Sequence, residues 1–396
     1  MRTATTSNEN KGGMSALALI PILFGFFAMG FTDVIGTAMA YVKKDFGLTD
    51  TVTSFLPSMI FLWFFVVSIP TGMITTRIGR KNTVLLSLAV TILGTLLPLV
   101  SYTKYTIYVA FALLGIGNTI IQASLPALMS NVVSADQLTS RLSLGQFAKA
   151  LCAAVSPFIA SLAAQTLGNW KLIFPIYAAI TVFVALGLLM TPIKREEVKG
   201  SVTTFGGCLA LLGNPFILAM FSGIFFVVGV DIGLGCAIPP FLQEVCKVSL
   251  DKAAMGPSVY YIAKTVGAFL GAIILAKYSP AKCFPISALM ALLATAVMLF
   301  AKDATLFLAC VVVASLGISN IFGMIFGQAM NRMPDKANEI AGLMVMAIAG
   351  GAVIPPVMGF VQGKMGPTGL IVVLIGCLVY MLFLGLFVAK QDRKED

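Results

Sequence analysis

Apolar residues run along this chain in long stretches separated by short polar breaks. A helix that crosses roughly 30 Å of hydrocarbon needs about 17–25 mostly apolar residues. Twelve stretches meet that length and predict helices over 16–40, 53–74, 84–101, 105–131, 138–164 and 170–191, then over 215–239, 254–277, 284–300, 304–330, 338–361 and 367–389. Between the two sets lies the longest charged break, Lys194-Arg195-Glu196-Glu197 with Lys199. The pattern predicts an all-α membrane protein of two six-helix halves. Its parts are a tail over 1–15, a first half over 16–191, a linker over 192–214, a second half over 215–389 and a tail over 390–396.

Composition agrees. The chain is 59% hydrophobic and 11% charged, against about 45–50% and about 25% in a soluble domain. Twelve spans require about 240 residues, close to the whole apolar share of 396 residues, which leaves no sizeable soluble domain. The net charge of +10 does not indicate nucleic acid, because the basic residues sit in the breaks between apolar runs. With the N-terminus inside, 16 Lys and Arg fall in cytoplasmic segments, 8 in outer loops and 2 within helices. That bias places both termini in the cytoplasm. The first apolar run reads as a retained helix and not as a removed signal.

Several chemistries drop out. The chain has no histidine, so a Ser–His–Asp or Cys–His nucleophile and a His-ligated zinc are excluded. Its seven cysteines are scattered singly, without a Cys-x-x-Cys pair for a metal or redox centre. Neither a phosphate-binding loop nor a dinucleotide fingerprint is present. No cofactor, metal or ATP-driven engine is expected, and the chain does not read as an enzyme.

The halves repeat. Leu114-Gly115-Ile116-Gly117-Asn118 in the fourth helix matches Leu316-Gly317-Ile318-Ser319-Asn320 in the tenth. Asp33 pairs with Asp231, and Pro157 with Pro355, so the three correspondences share spacings of 198–202 residues. An even number of helices per half gives a parallel repeat about an axis along the membrane normal, with a substrate site between the halves near the midplane.

The run Gly72-Met73-Ile74-Thr75-Thr76-Arg77-Ile78-Gly79-Arg80-Lys81 resembles the loop 2–3 signature of the major facilitator superfamily, with Thr76 where an Asp is usual. A narrower resemblance runs from Gly342 to Gly359, through Gly350-Gly351 and Pro355-Pro356, which is similar to helix 11 of the fucose:proton symporter family. That family includes glucose/galactose transporters. Gly30-Phe31-Thr32-Asp33 resembles its first helix, whose Asp is implicated in proton coupling, and Arg141-Leu142-Ser143-Leu144-Gly145-Gln146-Phe147 its fifth, whose Gln lines the sugar site. The resemblance implies a monomeric sugar symporter of the bacterial inner membrane. The chain departs from the family twice: the fourth-helix Glu falls at Gln122, and a polar residue of the fifth helix falls at Lys149.

Four ionisable residues lie deep within the predicted helices: Asp33, Lys149, Asp231 and Lys264. Each costs about 2.5–3.5 kcal/mol at a helix centre, so each should face a partner or a wet cavity. In this architecture the expected pairs are Asp33 with Lys149 and Asp231 with Lys264. A lysine that approaches and leaves an aspartate switches it between proton release and uptake, which makes these four the candidate proton-coupling residues. Asn118, Gln122, Gln146, Lys149, Asn320 and Phe322 are the candidate substrate-binding residues, the amides as hydrogen-bonding groups and Phe322 as a platform. Trp63, Phe147, Tyr260 and Tyr261 are further stacking candidates, and Trp170 at a helix start reads as an interfacial anchor.

The sequence thus leads to a carrier that imports a hexose or deoxyhexose with protons by alternating access, embedded in lipid. A proton-exchanging exporter of drugs or metabolites, a sugar uniporter and a non-transporting sugar sensor remain alternatives at this stage.

Overall fold

The computed structural model describes residues 19–129, 131–133, 135–193, 205–275, 277–333 and 336–395. The expected N-terminal tail and the charged run 194–199 lie outside the described residues. Among the described residues there is no strand. Twelve helices are long and apolar enough to span a membrane. They are α1 Leu19–Phe46, α2 Asp50–Thr75, α3 Arg80–Val100, α4 Lys104–Met129, α5 Leu144–Leu167 and α6 Trp170–Met190. After residues 194–204 come α7 Pro215–Glu244, α8 Leu250–Leu275, α9 Pro280–Met298, α10 Ala304–Ala329, α11 Gly342–Met365 and α12 Thr368–Gln391.

Local chemistry sets where they start and stop. Gly47 closes α1 in the left-handed conformation at φ 59°, which a residue without Cβ adopts freely. Asn214 caps α7 by accepting from the N–H groups of Phe216 and Ile217, ahead of Pro215 at the first helical position. Asp303 caps α10 through the N–H groups of Thr305 and Leu306. The expected first helix stops at 40, but α1 continues to Phe46: Lys43 and Lys44 extend their charged heads from its last turn rather than from a loop.

Within the first half α3 packs on α4 and α6, and α4 on α2; in the second, α9 packs on α10 and α12, and α7 on α11 and α12. The halves meet through α1 with α7, α2 with α11, and α5 with α8. Large apolar side chains such as Leu93, Phe183, Phe269, Ile286 and Phe383 face outward, as a helix bundle dissolved in lipid requires.

The two ends of the bundle differ. At the end away from the first and last described residues (the far end), the halves are clasped. Thr37 donates to the Ala254 carbonyl at 2.9 Å, and Tyr41 to Asp251 at 3.2 Å. Ser58 donates to the Ala352 carbonyl and Ser161 to the Asp251 carbonyl. Lys43 bridges Asp50 at 2.5 Å and Glu244 of the other half at 3.4 Å. Gly36 lies directly on the Gly235 backbone. Near the terminal end a separate apolar cluster of the first half packs by itself around Phe26, Leu88, Leu125 and Leu188, whereas the main cluster crosses both halves.

Trp170 corrects one expectation. It is buried, its indole N–H donates to Asp45 at 2.9 Å, and its ring stacks on Tyr41. An indole with a protein acceptor at hand is better satisfied inside the bundle than at a lipid interface. Tyr102 donates to the same carboxylate at 2.7 Å, and burial together with Asp45 pushes its phenol up.

Candidate functional site

A cavity of about 460 Å³ lies between the halves, on the terminal side of the clasp. Its construction begins at Gly30. A Cβ there would strike the Lys149 carbonyl and Cys152 on α5, so only glycine lets α1 come this close. At that contact α1 tightens into a 3₁₀ turn over Gly30–Val34 that presents Asp33 to the cavity. On α5, Gln146 and Lys149 stand three apart on one face, and both line the same cavity.

α4 contributes Asn118 and Gln122, one turn apart. The Asn118 amide donates to the Thr32 hydroxyl at 2.9 Å, while its carbonyl oxygen is buried with no hydrogen-bond partner among the described residues. A buried acceptor left open costs free energy unless a ligand or water fills it.

From the second half come Asp231 on α7 and Lys264 on α8. The ammonium holds both carboxylate oxygens, at 2.7 and 2.6 Å. Tyr260, one turn before Lys264, donates its hydroxyl to Asp231 as well. Tyr261 instead reaches across to the Asp33 carbonyl at 3.2 Å. Phe61, Phe322, Val227, Ile232 and Ile348 supply the apolar wall.

Of the expected pairs, Asp231 and Lys264 touch. Asp33 and Lys149 share the cavity, but among the described residues neither side chain makes an ion pair or hydrogen bond. Asp33 shares the cavity with Lys149, Lys264 and Asp231. Asn118, Gln122, Gln146 and Phe322 line the same cavity.

Asn320 does not line it. α10 breaks at Ser319–Asn320, Ser319 faces the cavity, and the Asn320 amide turns away to donate to the Gly267 carbonyl at 2.8 Å. It fills the space left by the missing Cβ of Gly271 and borders a separate groove among α8, α9 and α10. Trp63, Phe147, Tyr260 and Tyr261 are also absent from the cavity lining: the two tyrosines serve as hydrogen-bond donors to the aspartate segments, and Phe147 faces outward. Thr32, Phe61 and Ser319 are cavity residues that sequence reasoning missed. Thr32 adjoins Asp33, a usable signal; nothing distinguished Phe61 among 29 phenylalanines.

A second cavity, about 560 Å³, opens beyond the clasp at the far end and includes Lys43, Asp50, Glu244 and Gln362. The bundle therefore holds one polar chamber on each side of a closed constriction.

A family model described as Major Facilitator Superfamily matches residues 22–356. The glucose/galactose transporter of Brucella abortus biovar 1 is 25% identical over 411 residues, covering 99% of this chain and 98% of that protein. Among solved structures, a variant of the fucose:proton symporter of E. coli superposes with a TM-score of 0.66 at 18% identity, covering 94% of this chain and 98% of that one. A variant of a nucleoside transporter superposes with a TM-score of 0.78 at 13% identity, covering 94% and 98%. Structural likeness at such identities carries the fold and no substrate.

Proposed function

Because the chain belongs to the major facilitator superfamily, we propose that this multi-pass membrane protein is a secondary carrier that imports a sugar with protons by alternating access. The observation that carries this reading is the cavity between the halves, where amides, two acids and two bases converge on an apolar wall containing Phe61 and Phe322. Hydroxyls need placed donors and acceptors, and a sugar's C–H face needs an apolar platform. The full-length relationship to a protein named glucose/galactose transporter points the same way.

In this reading both termini lie in the cytoplasm, by the excess of Lys and Arg on that side. The clasped far end then faces outward, and the cavity belongs to a conformation closed to the outside. Rocking the halves would break the α1–α7, α2–α11 and α5–α8 contacts at the clasp and bring the terminal ends together. Asp33 is the proton carrier and Lys149 its moving counter-charge: their separation from direct contact leaves the carboxylate free to exchange a proton as the lysine is engaged by cargo. Asp231, Lys264 and Tyr260 form the second-half wall, held together in the closed state. The protein works as a monomer in the bacterial inner membrane.

The test is uptake of labelled fucose, glucose and galactose, with a panel of other sugars, into proteoliposomes with and without an inward proton gradient. Accumulation only with the gradient supports proton symport. Equilibration without accumulation refutes the coupling and leaves a uniporter. No exchange of any sugar refutes the sugar reading and favours a proton-exchanging exporter.

A further inference from the structure

The charges lining the cavity constrain what can accompany the proton. Asp231 and Lys264 neutralise each other in direct contact at 2.6 Å. That leaves Asp33 and Lys149, which sum to zero when both are ionised. The other titratable groups that act on this region, Cys152, Tyr177, Tyr260 and Tyr261, are uncharged in their ordinary range near neutral pH. When Asp33 takes up a proton, Lys149 is left as one uncompensated positive charge facing the chamber. An uncompensated charge in a closing, water-poor site is costly, so a proton-loaded carrier with a neutral cargo would resist occlusion. A cargo bearing one negative charge removes the difficulty. The empty state (Asp33 ionised, Lys149 charged) and the loaded state (Asp33 protonated, Lys149 charged, cargo anionic) are then both neutral, and both can rock.

We propose that the cargo is a sugar acid, such as a hexuronate, carried as its carboxylate together with one proton. The proposal rests on the proton-symport reading above and sharpens its substrate class. The cargo carboxylate takes the place of the Asp33 carboxylate as the counter-ion of Lys149. Gln146, one turn away on α5, and Gln122 on α4 are placed on the same chamber to donate amide N–H groups to it. The open carbonyl oxygen of Asn118 accepts from a ring hydroxyl, and Phe322 faces the apolar side of the ring.

The experiment compares glucuronate and galacturonate with glucose, galactose and fucose in proteoliposomes under two separate driving forces. A gradient of one pH unit, alkaline inside, drives about tenfold accumulation of a sugar acid at one proton per anion. An inside-negative potential of about 100 mV without a pH gradient drives none, because the transported pair is neutral. A neutral sugar carried with one proton would instead gain about fiftyfold from that potential. In a second arm Lys149→Gln removes glucuronate accumulation under the pH gradient, whereas Lys149→Arg, which keeps the positive charge, retains it. Accumulation of neutral sugars under the potential, with the acids ignored, overturns this inference and leaves the sugar-symport reading standing. So does glucuronate uptake that Lys149→Gln leaves unchanged. If neither acids nor neutral sugars exchange, the sugar reading itself falls and this inference with it.

Discussion

The closed far end rests on a close approach that a single methyl group should undo. Gly36 on α1 lies against the backbone of Gly235 on α7, and a Cβ on Gly36 would sit 2.5 Å from the Gly235 carbonyl oxygen, 2.8 Å from its carbon and 3.3 Å from the Cys236 nitrogen. Nothing flexible stands in the way: all three are main-chain atoms, so the helices themselves must separate. Overpacking of this kind costs about 1–3 kcal/mol. The contact exists only when the far end is closed, so the cost falls on that state alone and lowers its population relative to the open one by about 5- to 150-fold. Gly36→Ala should therefore hold the carrier open to the outside and slow transport. Gly235→Ala is the contrast, because a Cβ there would meet only the Tyr261 hydroxyl, at 3.3 Å, the end of a side chain. Cys236 supplies a native reporter, since it is buried by the closed constriction and lines the far-end cavity. With the more accessible Cys246 replaced by Ser, labelling by a membrane-impermeant maleimide from outside should accelerate in Gly36→Ala and stay near the parent rate in Gly235→Ala. Wild-type transport and unchanged Cys236 labelling in Gly36→Ala would refute the assignment of this contact to the gate.

Three further outcomes follow from the same geometry. Asp33→Asn should abolish proton-driven accumulation yet leave exchange of cargo between the two sides, read by counterflow; surviving accumulation removes Asp33 from the coupling role. Asp231→Asn strands the Lys264 ammonium and should lower the apparent melting temperature, by less than the about 3–5 kcal/mol equivalent of a fully buried pair, because the two side chains are 21% and 31% exposed. Adding Lys264→Met to Asp231→Asn should restore part of that loss, and an additive double variant would mean the pair is not coupled. Asn320→Ala should cost stability, about 0.5–1.5 kcal/mol for the lost hydrogen bond to the Gly267 carbonyl, with little change in cargo affinity, which a binding titration beside a thermal melt would separate.

How much of this was legible depends on the scale of the signal. Spans were legible because membrane crossing demands about 20 apolar residues at a stretch, a signal that no local packing detail can mask. α7 begins at Pro215 and α10 at Ala304, as the apolar runs indicate, and the misplaced end of α1 arose from two lysines that snorkel instead of ending the helix. Intramembrane charge was equally legible: all four such residues reach one cavity, since burying any of them elsewhere would cost too much. Which acid touches which base was not. Lys264 meets Asp231 through a side chain aligned with Tyr260 one turn before, whereas Asp33 sits on a 3₁₀ turn whose geometry depends on Gly30 meeting the α5 backbone. A tertiary contact of that kind leaves no periodic trace in the chain.

The internal repeat shows where such inference ends. Asn118 and Asn320 occupy matching places in Leu-Gly-Ile-x-Asn segments of α4 and α10, but α4 runs on through Asn118 while α10 breaks at Asn320. Side-chain direction follows from neighbours instead. Beside Asn118 stands Thr32, whose hydroxyl accepts the amide N–H and leaves the carbonyl oxygen open in the cavity. Beside Asn320 stands Gly271, whose missing Cβ leaves a pocket that the amide fills, donating to Gly267 on its way. One asparagine thereby keeps an unpartnered acceptor beside the cavity and the other is committed to joining α8 and α10 at the point where α10 breaks. The same asymmetry holds for the charges, since Lys264 is bound to Asp231, whereas among the described residues Lys149 makes no ion pair. Similar segments thereby take different partners: in the first half Asn118 keeps an open acceptor beside the cavity, and in the second Asn320 and Lys264 commit their donors to Gly267 and Asp231.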